Sequence, residues 1–204
     1  MHPAWAQHLS HWPSEKKALL DRYAASLRKV NKSINLVSRK DIDNLEERHI
    51  LNALAIYEAG LLKNISTLAD IGTGGGLPGI PLAIAAPEVM VTLVDSIEKK
   101  VKVLGLIVSE LALPNVQVVR ARAEDFEGTF DLITGRAVCP LPEFLKLVCH
   151  LMAQGGVVAY LTGSKNPAER CIRGWEIQEI PIAAIFPTSE FLRDKFILLA
   201  RRRE

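Results

Sequence analysis

The chain has 204 residues, 49% of them apolar and 24% charged, with a formal net charge of +2. That length allows one domain with a sizeable core, and so mild a charge permits a polyanionic partner without arguing for one. Its three cysteines (Cys139, Cys149 and Cys171) are odd in number and form no Cys-x-x-Cys, which argues against a disulfide framework and a zinc knuckle and favours reduced thiols.

The first third reads as helical. MHPAWAQHLSHW has no basic region followed by an apolar one, so no secretory signal is expected. From Ser14, a plausible N-cap, Leu19, Tyr23, Leu27 and Val30 recur at helical spacing. After the polar NKSIN, Ser38-Arg-Lys-Asp41 has the form of a capping box, opening a helix through Asp41 to Ala59. Beyond Leu61, β-rich runs alternate with helical ones. Strands are expected over 67–71, 89–95, 116–120, 130–134, 157–161, 175–182 and 195–201. Helices are expected over 78–85, 97–113, 142–152 and 166–173, with a short turn near 123–126. Alternation of this kind predicts a doubly wound, mostly parallel α/β sheet covered by helices on both faces. The stretch PIAAIFPTSEFLRD between the last two strands shows no helical pattern, so those strands are expected to pair antiparallel at one end of the sheet. The expected organisation is a helical N-terminal extension (1–60) on a Rossmann-like domain (61–204), together one structural unit. No apolar run reaches membrane-spanning length, and a cytoplasmic monomer is expected.

The chemistry concentrates at LADIGTGGGLPGIPLAI. The first strand ends at Ile71; Gly72, Gly74, Gly75 and Gly76 follow, and then a helix. In an open parallel sheet, ligands bind outside the C-terminal strand ends, and a main chain without Cβ atoms lets one approach closely. Two ligands compete. A dinucleotide needs Gly-x-Gly-x-x-Gly, but Leu77 stands where the third glycine should be, and the shifted match starts two residues late. S-adenosylmethionine has no pyrophosphate to cradle, and Asp-x-Gly-x-Gly-x-Gly with Gly74 at its centre suits it better. The second strand, VTLVD, ends in Asp95, placed to accept hydrogen bonds from ribose hydroxyls; NAD sites use such an acid too. After the third strand, the turn at Ala123-Glu124 has main-chain groups for reading an adenine edge. A dinucleotide-dependent oxidoreductase therefore remains the rival.

DIGTGGGLPGIPLAI, VTLVDS, NVQVVRARAE and DLITGRAV, with NLVSRKDIDNLEERHILNAL upstream, resemble in that order the RsmG (GidB) family of guanine-N7 methyltransferases of small-subunit ribosomal RNA. The resemblance implies a class I S-adenosylmethionine-dependent methyltransferase fold with seven strands, that cofactor, and 16S rRNA or the small subunit as partner. By matching position it implies that Gly72 and Leu77 flank the cofactor, that Ala123 and Glu124 offer main-chain contacts to its adenine, and that Arg136 reaches the cofactor side. Arg48-His49 matches the family's Arg-His signature; the pair is open to contact with the RNA substrate or the cofactor, or to tying the N-terminal helices to the sheet. Where the family often has Lys-Gly, this chain has Thr162-Gly163 with Lys165 nearby.

Guanine N7 carries no proton at neutral pH, so its methylation needs no general base, and no catalytic acid–base pair is expected. The alternative within nucleic-acid methylation is attack on cytosine C5 by Cys139; the plainer expectation is a small buried Cys139. A third possibility is an RNA-binding module without catalysis. His8 and His11 are spaced like metal ligands but lack a third, so no metal is expected. His150 is expected in the core, and Trp5 and Trp12 as anchors of an N-terminal helix. The basic groups Lys16/Lys17, Arg28/Lys29/Lys32, Arg39/Lys40 and Arg201–Arg203 are expected on solvated faces, with phosphate contacts if the fold brings them to the pocket rim.

Overall fold

The computed structural model describes residues 2–38, 41–163 and 170–203. Strands β1 (Thr67–Ile71), β2 (Met90–Asp95), β3 (Val116–Arg120), β4 (Phe130–Arg136), β5 (Met152–Thr162), β6 (Trp175–Pro181) and β7 (Phe196–Arg202) form one sheet in the order 3-2-1-4-5-7-6. Strands β1 to β5 pair parallel, and β7 lies antiparallel between β5 and β6. The expected antiparallel pair is therefore present, at one end of the sheet.

Successive strand side chains point to opposite faces. Leu68, Leu93, Leu132, Ala159 and Leu199 join one apolar cluster, and Ala69, Val94, Ile133, Val158 and Ala200 join the other. Both faces are covered, which is why these strands read as nearly continuous apolar runs. Edge strand β3 departs from that expectation and is only partly buried. One face carries α2 (Ser14–Asn31), α3 (Asn52–Glu58), α4 (Gly79–Ala85) and α5 (Glu98–Leu111); the other carries α6 (Leu141–Val148).

The N-terminal helices share their core with the sheet. Helix α1 (Pro3–His8) is tied down by Trp5, which is fully buried and whose Nε1 donates to Asp21 Oδ1 at 2.6 Å. Trp12 Nε1 donates to Glu58 at 2.7 Å. In α2 the buried stripe is Leu20, Tyr23, Leu27 and Asn31, one position off the expected one at its ends. Ser14 is the first helical residue and caps nothing. Lys17 is buried and Lys16 Nζ bonds Ala85 O, so this pair is not a solvated face. Arg28 chelates Glu46 through both terminal nitrogens, at 2.7 and 2.5 Å.

The helix expected over 41–59 is composite: a 3-10 turn at Ile42–Asn44, a π-helical segment at Glu46–Leu51, then α3. Asp41 provides no side-chain cap; Arg39 and Lys40, within the expected capping box, lie outside the described residues. So does most of the helix expected over 166–173, and the described residues 170–173 are not helical. Among the described residues no helix is long and apolar enough to cross a membrane.

Candidate functional site

Strand order reverses between β1 and β4, and there the glycine loop leaves the sheet. Gly72 N and Thr73 N both donate to Val94 O, at 2.9 and 3.0 Å, so the loop begins by hooking onto β2. Gly74 has φ +57°, in the left-handed region, and a Cβ built there would meet nothing nearer than 3.9 Å. That Cβ would come into ordinary contact with Gly72 O and Leu36 O without clashing.

Three buried groups hold this loop from behind. Asp70, at no measurable exposure, accepts from Thr73 Oγ1 (2.6 Å), Gly79 N (2.9 Å) and Thr134 Oγ1 (3.3 Å). Burial pushes its carboxyl up to about 6, against the opposing pull of those donors. Tyr23, fully buried on α2, donates its hydroxyl to Gly75 O at 2.8 Å. Asp95 accepts from Gly74 N at 3.0 Å and Ile97 N at 2.9 Å, with Lys100 Nζ 3.8 Å away.

Beside the loop opens a cleft of about 710 Å³. Gly72, Gly74, Leu77, Arg136, Arg48 and His49 line it. Asp95 sits just behind its glycine wall. Ala123 and Glu124 lie farther along the same sheet edge, in a 3-10 turn after β3, and do not line it. Lys165 lies outside the described residues.

The opposite wall comes from the composite helix and the segment before β7. Arg48 pairs with Asp41, and its guanidinium lies 4.5 Å from the Phe191 ring centroid. Arg136 donates through one terminal nitrogen to His49 Nδ1 at 2.6 Å. A guanidinium can only donate, so Nδ1 is the acceptor and the proton of neutral His49 resides on Nε2. Burial, then the nearby Arg136 charge, pushes the His49 pKa down to about 4. Desolvation also lowers the Arg136 pKa, offset by Tyr23, Asp70 and Asp41. Among the described residues, the buried atoms Arg48 Nε, His49 Nε2 and Asn52 Oδ1 make no hydrogen bond, and His49 Nε2 lies 4.0 Å from Asp41 Oδ2. Among the described residues that line the cleft, Arg48, Lys100, Arg136 and Lys195 are set against one carboxylate, Asp41.

The model of the GidB family, described as rRNA small subunit methyltransferase G, matches residues 16–176. The chain belongs to the GidB family. It is accordingly an S-adenosylmethionine-dependent methyltransferase of small-subunit ribosomal RNA, and the dinucleotide-dependent oxidoreductase is set aside. It is similar to the ribosomal RNA small subunit methyltransferase G of Flavobacterium johnsoniae, with 38% identity over 174 residues, 81% of this chain and 79% of that protein. The protein of the same name from Christiangramia forsetii is 40% identical over 172 residues, 81% of this chain and 78% of that one. The fold matches that of a ribosomal protein L11 methylase from Lactobacillus delbrueckii subsp. bulgaricus. The TM-score is 0.56 at 17% identity, covering 76% of this chain and 77% of that one.

Several expectations need correction within this GidB-family frame. Cys139 is not fully buried but half-buried, and it lines the cleft. Burial, then Glu143, raises its thiol pKa, which disfavours the thiolate a C5 methylase needs. His150 is exposed rather than in the core, with Nε2 3.1 Å from Phe126 O. His8 packs edge-on against Phe186 while His11 meets Glu58, so the two do not converge. None of the described members of the expected basic groups lines the cleft; its cations are others. Asp41, Asn52, Lys100, Phe191 and Lys195 were not expected at the site from the sequence. Asp70 was read as the acid of the glycine motif and Tyr23 as a stripe residue, neither as a brace.

Proposed function

We propose that this enzyme transfers a methyl group from S-adenosylmethionine to N7 of a guanine in 16S ribosomal RNA, with the cleft as its active site. The family match over residues 16–176 carries this reading, since that span contains the glycine loop and all three braces behind it. The residues present fit the cofactor: a main chain without a Cβ at Gly74 lines the cleft, and a carboxylate is hydrogen-bonded to it. When bound, the cofactor supplies an electrophilic methyl on a sulfonium sulfur.

Gly72, Gly74 and Leu77 pack against the cofactor and Asp95 takes its ribose. Ala123 and Glu124 approach the adenine, and Arg136 supplies the cation for a carboxylate. Arg48 and His49 face the RNA. Because N7 already has a free lone pair, none of these side chains has to move a proton. Their work is to orient the base and to exclude water. Residues 1–60 and 61–204 act as one unit, because Tyr23 of the first holds Gly75 of the second.

The test is incubation of the purified protein with radiolabelled S-adenosylmethionine and 16S rRNA lacking the modification, followed by nuclease digestion. Label should appear as 7-methylguanosine. Label on cytosine, or none, overturns the reading.

A further inference from the structure

Phe191 is the one aromatic among the exposed large hydrophobic residues described, at 39% relative exposure. It belongs to the 3-10 turn Glu190–Leu192, whose next residue, Leu192, is fully buried and anchors the turn. With Leu192 holding the turn, core packing gives no reason for an aromatic ring at 191. The ring lines the cleft, and the Arg48 guanidinium, itself fixed by Asp41, lies 4.5 Å from its centroid. Lys195 lines the cleft four positions on, beside Gly163. Both Phe191 and Lys195 fall outside the segment 16–176 that the family model matches.

An exposed ring held by a cation, at the mouth of a cleft with four cationic side chains and one carboxylate, suits a nucleobase with its phosphate. Resting on the function proposed above, we infer that Phe191, backed by Arg48, is the platform on which the RNA base entering the cleft stacks, with Lys195 taking an adjacent phosphate. Stacking is tolerant of base identity, because every base has a π-face. The platform therefore contributes affinity and entry geometry, and the choice of guanine is made deeper in the cleft.

The test compares Phe191→Ala, Phe191→Leu and Phe191→Trp in the full chain. The readouts are methyl-transfer kinetics on unmodified 16S rRNA at saturating cofactor, RNA retention without cofactor, and S-adenosylhomocysteine affinity. Loss of one base–aromatic stack should raise KM for RNA, and weaken RNA retention, by roughly 5- to 150-fold in both the Ala and Leu variants. S-adenosylhomocysteine affinity and the thermal midpoint should hold, and Trp should restore the wild-type values. A Leu variant equal to wild type would show that apolar bulk is enough and would overturn the platform, as would an Ala variant with unchanged KM and retention. A wild type that retains RNA through Phe191 but transfers no methyl group would sink the activity and leave the platform standing.

Discussion

The two walls of the cleft are built on opposite principles. On the glycine-loop wall every brace is satisfied: Asp70 takes three donors, Tyr23 bonds Gly75, and Asp95 bonds Gly74 and Ile97. On the helical wall, Arg48 Nε, His49 Nε2 and Asn52 Oδ1 are buried and make no hydrogen bond among the described residues, with His49 Nε2 4.0 Å from Asp41 Oδ2. A buried polar group left unpaired costs about 1–3 kcal/mol, so such a cluster is tolerated where something else relieves the cost. The first wall is held in one arrangement by its own hydrogen bonds; the second is held by ion pairs and ring contacts around Arg48 and His49.

If that contrast is right, the largest effect comes from spoiling the preorganised wall. Gly74→Asp places a second carboxylate beside Asp95; two like charges about 4 Å apart at a partly solvated site repel by roughly 4 kcal/mol. Calorimetry should find S-adenosylhomocysteine binding lost, while RNA retention stays near wild type. Retained binding would mean that the loop does not face the cofactor. Next comes Gly79→Ala, whose new Cβ would sit 2.2 Å from Leu93 Cδ2 and 2.9 Å from Asp70 Oδ2. Overpacking of this kind costs about 1–3 kcal/mol, to be read as a lower urea midpoint. Tyr23→Phe removes only the bond to Gly75 O, worth about 1 kcal/mol. It should weaken cofactor binding more than RNA binding.

The smallest effect at neutral pH is expected for His49→Gln, because His49 is neutral there in both folded and unfolded chains. Its pKa falls from 6.5 to about 4 on folding, so its contribution is full above 6.5 and is lost as pH falls toward 4. Asp70 runs the other way. Its carboxyl rises to about 6, so it favours the folded state in acid and loses that contribution as pH climbs through 6. Urea titrations from pH 4 to 7 should show the wild type gaining stability over the variant as pH rises. Parallel curves would remove His49 from the buried wall.

The doubly covered strands were legible because they are apolar along nearly their whole length, and the partly buried edge strands β3 and β6 because apolar residues recur between polar ones, with ends displaced by a residue or two. The exception is β5, which starts at Met152, five residues before the expected Val157; the intervening AQGG carries no strand pattern. The glycine loop was legible because its composition serves nothing else. The helical wall was not. A π-helical segment at 46–51 adds a residue to each turn, so periodicity could name Arg48 and His49 only through a family signature and missed Asn52. Phe191 and Lys195 belong to a stretch with no periodicity, and only the tertiary fold brings them to the cleft. Tyr23 read correctly as an inward-facing stripe residue, but its hydroxyl partner, 52 positions away, leaves no local trace.

Strand β7 runs against its neighbours, so it starts where they finish: Phe196 lies opposite Thr162. That reversal delivers Lys195 and the Glu190–Leu192 turn to the edge where the parallel strands terminate. In order of synthesis, this corner of the cleft is therefore the last to be supplied. The glycine loop and the side chains that brace it lie at or before Asp95, so they are made about a hundred residues ahead of Phe191 and Lys195.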